Sequence, residues 1–327
     1  FGLMFVTVLF SALVGCKNET TGNNDIQRQS YVSPSADSTY FQEIGAQFGL
    51  NFNHSIGGNE LKNIIESVGG GAAFLDYDND GYLDIYACSG IWIEGFSKSD
   101  KPEKRAGNKL YRNRQDGTFE DVTDKANVAG PWYSRGVSVA DYNNDGFSDL
   151  FLSNYGRNTL LENNGDGTFV DRSKDSGLEG GMECSVGATW LDYDNDGLLD
   201  LYVGNYLNFD PDYKYYYAPD GFPGPLAYDA QPDHLYHNLG GGAFEEVTEE
   251  MGISDLDGRA MGVGSADYDH DGYMDICVAN DHTVNYMWHN DQGNGFTDLA
   301  TLSGTGFSQA GEATVSMSVD YADYNKD

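Results

Sequence analysis

At 327 residues the chain is long enough for one large domain or two ordinary ones, and 39% hydrophobic residues suffice for a sizeable core. Eighteen Lys and Arg against 52 Asp and Glu leave a formal charge of −34, which repels a phosphate backbone and attracts cations, so no nucleic-acid partner is expected. Forty-two glycines and 23 tyrosines with only eight prolines favour many short strands joined by tight turns, an all-β composition.

Residues 1–15 form an apolar run, FGLMFVTVLFSALVG, that ends at Cys16. The run is short for a membrane span, and its Leu-Val-Gly-Cys ending resembles a bacterial lipoprotein signal peptide, whose cleavage leaves a lipidated cysteine first. That resemblance implies a chain held by Cys16 to a bacterial membrane, the outer membrane or cell surface, outside the cytoplasm. No initiator Met or basic stretch precedes the run, so the expectation is of a sequence that starts inside its gene product. Residues 16–39 are rich in Asn, Thr, Ser and Gln without apolar periodicity and read as a flexible tether. Cys88, Cys184 and Cys277 include no CxxC pair; they are expected as small buried residues, with one disulfide among them left open.

From residue 40 to 327 the chain repeats itself. FLDYDNDGYLDIYA, VADYNNDGFSDLFLSN, WLDYDNDGLLDLYVGN and SADYDHDGYMDICVAN place aspartate loops starting at Asp76, Asp141, Asp192 and Asp267, and YADYNKD begins a fifth at Asp323. Each of the four full copies is followed by a second motif of the type NKLYRNRQDGTFEDVT. The unit is therefore four short strands: a into the loop, b out of it, c of the KLYRN type and d of the TFEDV type, with a glycine turn between c and d. Such units at roughly 50-residue spacing predict β-propeller blades. YFQEIGAQFGL at residues 40–50 matches the d segments, Phe41, Glu43 and Gly49 falling on Phe244, Glu246 and Gly252, and predicts a lone d strand that closes the ring. About four complete blades, this closing strand and the start of a fifth are expected here.

In D-x-D-x-D-G-x-x-D the carboxylates at positions 1, 3, 5 and 9 and the backbone carbonyl at position 7 can converge on one hard cation, with glycine at 6 allowing the sharp turn. The predicted ligands are Asp76, Asp78, Asp80, Tyr82 and Asp84; Asp141, Asn143, Asp145, Phe147 and Asp149; Asp192, Asp194, Asp196, Leu198 and Asp200; Asp267, Asp269, Asp271, Tyr273 and Asp275; and Asp323, Asn325 and Asp327. Oxygen-only donors and a flexible loop favour calcium, one ion per loop, over magnesium or zinc. An EF-hand would need a Glu at position 12 and flanking helices, whereas position 12 of the first loop is Ala87 in a strand-like run.

These motifs resemble FG-GAP (VCBS) repeats, and the longer DHLYHNLGGGAFEEVTEEMGI segment is similar to bacterial relatives of cartilage acidic protein that carry an ASPIC/UnbV domain. The resemblance covers residues 40–327 and implies a seven-bladed propeller in the full protein, with calcium in the a-to-b loops. The ASPIC/UnbV domain has no counterpart in this sequence.

No enzyme is expected. Neither a G-x-S-x-G elbow nor a Cys–His pair is visible, and His234, His237 and His289 fall at strand-c positions where other copies carry Lys109, Arg112, Thr159, Glu162 and Tyr286, which reads as surface or packing. The expected function is a calcium-binding, membrane-anchored interaction module for a protein or glycan. The alternatives are the non-catalytic part of a larger secreted enzyme and a purely structural scaffold. The longest b-to-c connection, residues 206–232, offers Tyr213, Tyr215, Tyr216, Tyr217, Phe222 and Tyr228 as a candidate ligand face opposite the metal loops.

Overall fold

The apolar runs flanking each aspartate loop pair antiparallel with one another, and every repeat closes on itself as a four-stranded sheet. The structure, a computed structural model, describes residues 43–97, 100–101, 107–213, 221–254 and 257–322. The signal peptide, the tether, Cys16, Tyr215, Tyr216, Tyr217, Asp323, Asn325 and Asp327 lie outside the described residues.

Blade 1 comprises β1 (Ala72–Leu75), β2 (Asp84–Ala87), β3 (Lys109–Asn113) and β4 (Phe119–Asp121), hydrogen-bonded in that order. Blade 2 comprises β5 (Tyr133–Ala140), β6 (Asp149–Gly156), β7 (Thr159–Asn163) and β8 (Phe169–Asp171). Blade 3 comprises β9 (Glu183–Leu191), β10 (Asp200–Asn205), β11 (His234–Asn238) and β12 (Phe244–Glu246). Blade 4 comprises β13 (Ala260–Ala266), β14 (Asp275–Asn280), β15 (Tyr286–Asn290) and β16 (Phe296–Asp298). All pairing within a blade is antiparallel, as an all-β propeller of four-stranded blades requires. Blades 2 and 3 are additionally joined through Tyr155↔Cys184 and Gly156↔Glu183 of β6 and β9.

The core lies between blades. Successive side chains of a strand point to opposite faces. Leu150 and Leu152 of β6 therefore pack toward blade 1, with Leu75, Tyr86 and Leu110, while Phe151 packs toward blade 3, with Leu201, Val203 and Tyr236. In β10 the same alternation sends Leu201 and Val203 toward blade 2 and Tyr202 toward blade 4, against Ile276, Val278 and Trp288. Burial on both faces explains why these strands read as continuous apolar runs; each fully buried Leu or Phe contributes about 1.5–3 kcal/mol.

Where the first strands of neighbouring blades approach, the backbones leave no room for a side chain: a Cβ on Gly136 would lie 2.4 Å from the Val186 carbonyl oxygen. Residues 40–42 of the expected closing strand lie outside the described residues, but the turn after them is described. Gly49 has φ +87°, and a Cβ there would lie 2.2 Å from the Phe119 carbonyl of blade 1. Gly177 stands in the same relation to Phe244 of blade 3, and Gly252 to Phe296 of blade 4, so residues 45–49 seat on blade 1 as the other d-strand turns seat on the blade that follows.

Cys88, Cys184 and Cys277 are free; the first two are buried and the third half-buried, and no disulfide joins them. Among the described residues no helix is long and apolar enough to cross a membrane.

Candidate metal centres

Each aspartate loop is built by the same hydrogen bonds. Position 1 receives the backbone N–H groups of positions 5 and 6: Asp80 and Gly81 donate to Asp76 at 2.9 Å each, and Asp145 and Gly146 to Asp141 at 2.9 and 2.8 Å. Asp196 and Gly197 donate likewise to Asp192 at 3.1 and 3.0 Å, and Asp271 and Gly272 to Asp267 at 3.1 and 3.0 Å. The carboxylate at 5 in turn accepts from the N–H of position 7, held by Tyr82, Phe147, Leu198 or Tyr273. Glycine is required at 6, where φ is +85° to +94° in all four loops.

Position 9 opens the second strand of the blade and has no exposed surface in Asp84, Asp149, Asp200 or Asp275. Its Oδ2 accepts the N–H of position 2 (Tyr77, Tyr142, Tyr193 or Tyr268) at 3.1–3.3 Å. Its Oδ1 accepts, at 2.7–2.8 Å, the N–H of the asparagine that ends the third strand (Asn113, Asn163, Asn238 or Asn290). Burial outweighs these bonds and pushes the carboxyl up to about 6 at Asp84 and Asp200 and about 7 at Asp149, with Asp275 also raised. A cation in the loop would favour the ionised form that burial disfavours.

In the first, third and fourth loops three of the predicted carboxylates converge. Oxygens of Asp76, Asp78 and Asp84 lie within 4.8 Å of one another, as do those of Asp192, Asp194 and Asp200 and those of Asp267, Asp269 and Asp271. Asp78 Oδ1 is buried and accepts no hydrogen bond. That orphaned oxygen, and donor sets dominated by carboxylate, fit a hard divalent ion. In the second loop Asn143 holds Asp145 through its Nδ2 at 3.0 Å, lowering the local charge. Strands, not helices, flank every loop, which sets them apart from EF-hands.

The structure adds residues that sequence reasoning assigned to surface or packing. Arg112 reaches the first loop, with Nε 2.7 Å from Asp78 Oδ2 and Nη2 3.2 Å from Asp80 Oδ2, and Gln115 donates to Asp80 at 3.0 Å. That amide, with Arg112, holds Asp80 below the usual carboxylate range. His237 Nδ1 lies 3.1 Å from Asp200 Oδ1 and 3.8 Å from Asp194 Oδ2; His289 Nδ1 lies 3.1 Å from Asp275 Oδ1 and 3.6 Å from Asp269 Oδ2. His234 is not at a loop and faces Glu183 and Glu246.

At the end of the blades away from the loops, Tyr228 is 7% exposed and packs with Tyr206, Leu207 and Tyr133, while Phe222 is half-buried against the same cluster. Tyr213 is 44% exposed, its ring 5.4 Å from that of Tyr228. Of the described members of the candidate ligand face, Tyr213 is therefore the one open to solvent, and Tyr228 serves the packing of the long connection.

Cartilage acidic protein 1 from Homo sapiens is 37% identical over 89 residues, 27% of this chain and 14% of the human protein. The Xenopus tropicalis protein is 37% identical over 73 residues, 22% of this chain and 11% of that one. The chain thus spans a small part of the length of these relatives. Among solved structures, an Agrocybe aegerita lectin described as recognising non-reducing terminal N-acetylglucosamine aligns with TM-score 0.37 and 18% identity over 69% of this chain and 50% of the lectin. The FG-GAP-like repeat matches residues 76–152, 141–203, 220–278 and 267–327, so that every described aspartate loop falls inside a match. With most of its length covered by these repeats, the chain belongs to the FG-GAP-like repeat family.

Proposed function

We propose that this chain is a calcium-stabilised propeller module that presents loops to a protein or glycan partner and is held outside the cytoplasm by a lipid on Cys16. The observation that carries the calcium reading is the fourfold recurrence of one hydrogen-bonded loop with a carboxylate of no exposed surface at position 9, which in the first and third loops converges with those at 1 and 3. Calcium would supply the charge that makes three ionised carboxylates within 4.8 Å tolerable. The protein's own part is to fix positions 1, 5 and 9 through backbone N–H donors, which leaves the loop little to reorganise when a cation enters. The partner reading is supported by the length of the connection of residues 206–232 and by the exposure of Tyr213 within it.

Melting of the full chain with excess chelator and with excess calcium tests the metal. At a hundredfold excess over Kd each site adds about 2.7 kcal/mol, and Asp141→Ala with Asp145→Ala removes one site. An unchanged melt in chelator would overturn the reading. Palmitate labelling of the complete precursor, lost in Cys16→Ser, checks the anchor; retained label would place the lipid elsewhere.

A further inference from the structure

The residue before the asparagine that ends the third strand differs between blades: Arg112, Glu162, His237 and His289. Register explains why it matters. With Ile85↔Tyr111, Leu150↔Leu161, Leu201↔Tyr236 and Ile276↔Trp288 paired, the next residue of the third strand lies across from the buried position-9 aspartate of its own loop. In blade 2 Glu162 turns aside, accepting from the Tyr142 hydroxyl at 2.8 Å and pairing with Arg172 at 3.1 Å. In the other three blades the side chain enters the carboxylate cage.

Resting on the reading of these loops as divalent-cation sites, we propose that this residue sets the metal preference of its blade. His237 and His289 make blades 3 and 4 mixed imidazole–carboxylate sites for a first-row transition ion of the zinc and cobalt class. Arg112 places a guanidinium inside the first loop and makes it the weakest of the four.

The geometry supplies the donors. A ring nitrogen of His237 lies within 4.8 Å of both Asp194 and Asp196 oxygens, and His289 Nδ1 lies 3.6 Å from Asp269 and 3.1 Å from Asp275. Edge contacts fix each ring: Tyr193 lies 5.7 Å from His237 and Tyr268 lies 6.1 Å from His289, centroid to centroid. An imidazole nitrogen is a poor ligand for calcium and a good one for borderline ions, so one histidine among three or four carboxylates moves selectivity toward zinc, cobalt or nickel. In blade 1 an entering ion must displace Arg112 from Asp78 and Asp80, and an added cation meets a charge already present.

The test is cobalt titration of the metal-stripped full chain in millimolar calcium, read by the visible absorption of bound cobalt. Two cobalt ions are expected to stay bound against calcium. His237→Gln and His289→Gln should each remove one, weakening it by about tenfold or more. His234→Gln, which alters a histidine outside the loops, should keep both. Displacement of cobalt by calcium in the parent, or unchanged cobalt binding in the double His→Gln chain, overturns the proposal. Melting separates it from the calcium reading. If calcium stabilises the double variant as it does the parent, the calcium reading stands and cobalt decides this proposal alone; if calcium leaves the parent's melt unchanged while two cobalt ions bind, the calcium reading falls and the histidine sites remain. Arg112→Gln gives a second check, with about tenfold tighter calcium binding expected in the first loop and no change there counting against the role of Arg112.

Discussion

Removing the metal should reverse the pH dependence of stability, and Asp149 shows by how much. Its carboxyl has no exposed surface and is raised by burial from 3.8 to about 7. Unfolded, it ionises near the lower value; folded without metal, it keeps its proton to the higher one. Between the two the native chain binds the extra proton, so stability falls as pH rises through that window. From about pH 5 to about pH 8 the loss is about 3 kcal/mol at 1.36 kcal/mol per pH unit, or about 5–10 °C in Tm. Asp84 and Asp200, raised to about 6, add smaller losses of the same sign. On the proposed calcium reading the ion would bind the ionised carboxylates, so its stabilisation would grow with pH and should flatten or invert the slope. Two histidines outside the loops titrate in the same range. His234 is raised to about 9, burial opposing but Glu183 and Glu246 prevailing, and so loses stabilisation as pH rises; His54, lowered by burial, acts in the opposite sense. Neither touches a loop, so subtracting the chelator curve from the calcium curve isolates the metal-linked groups. The assay is a set of melts of the full chain across this range in both conditions. Equal slopes in calcium and chelator, or a metal-free chain that gains stability toward pH 8, would refute the reasoning.

Asn238 is 1% exposed and donates to the Tyr142 carbonyl of the preceding blade at 3.0 Å and to Leu199 at 2.9 Å, while accepting from Gly240. Asn238→Ala leaves one buried and two half-buried backbone groups without their partner and should cost about 2–3 kcal/mol in urea unfolding; full retention of stability would show that this clamp between blades is dispensable. Arg135 is 3% exposed, donates to the Cys184 sulfur at 2.9 Å and stacks over Tyr206, but its Nε and Nη2 have no partner and no carboxylate pairs with it among the described residues. Arg135→Met should therefore be neutral or stabilising in the same assay, and a loss above about 2 kcal/mol would reveal an anion that neutralises the guanidinium.

The blades and their loops were legible because each is written four times. Asp at 1, 5 and 9, Asp or Asn at 3, and Gly at 6 recur at fixed spacing, and the continuous apolar runs after position 9 match strands buried on both faces. The role of Arg112, His237 and His289 was not legible in the same way. Their variation from copy to copy looks like that of a surface position, and only strand register shows that it lies across from the position-9 aspartate. A signal did exist in the fixed offset from the asparagine that ends the strand, but it has meaning only once that asparagine is known to hold the aspartate. The long b-to-c connections were opaque for a different reason. Aromatic content marks either a binding surface or a packed insertion, and burial alone separates Tyr228 from Tyr213.

The same asparagines bear on whether the loops act singly. Asn163, Asn238 and Asn290 each donate across a blade boundary, to the carbonyls of Tyr77, Tyr142 and Tyr193 at position 2 of the preceding loop. On the outer side, position 4 reaches forward: Asn79 donates to the Gly146 carbonyl at 2.9 Å, Asn144 to Gly197 at 3.2 Å and Asn195 to Gly272 at 3.0 Å. These three residues adopt left-handed backbone with φ of +53° to +61°, which asparagine tolerates better than most side chains and which aims the amide at the next loop. Every described boundary between aspartate loops is therefore bridged twice, once through position 2 and once through the glycine at position 6. Both bridged carbonyls belong to the stretch that must hold its shape for the carboxylates to converge. A loop whose carboxylates repel one another would strain its own turn and, through these bonds, the seat of its neighbour, so neutralising one loop also secures the blade boundary beside it.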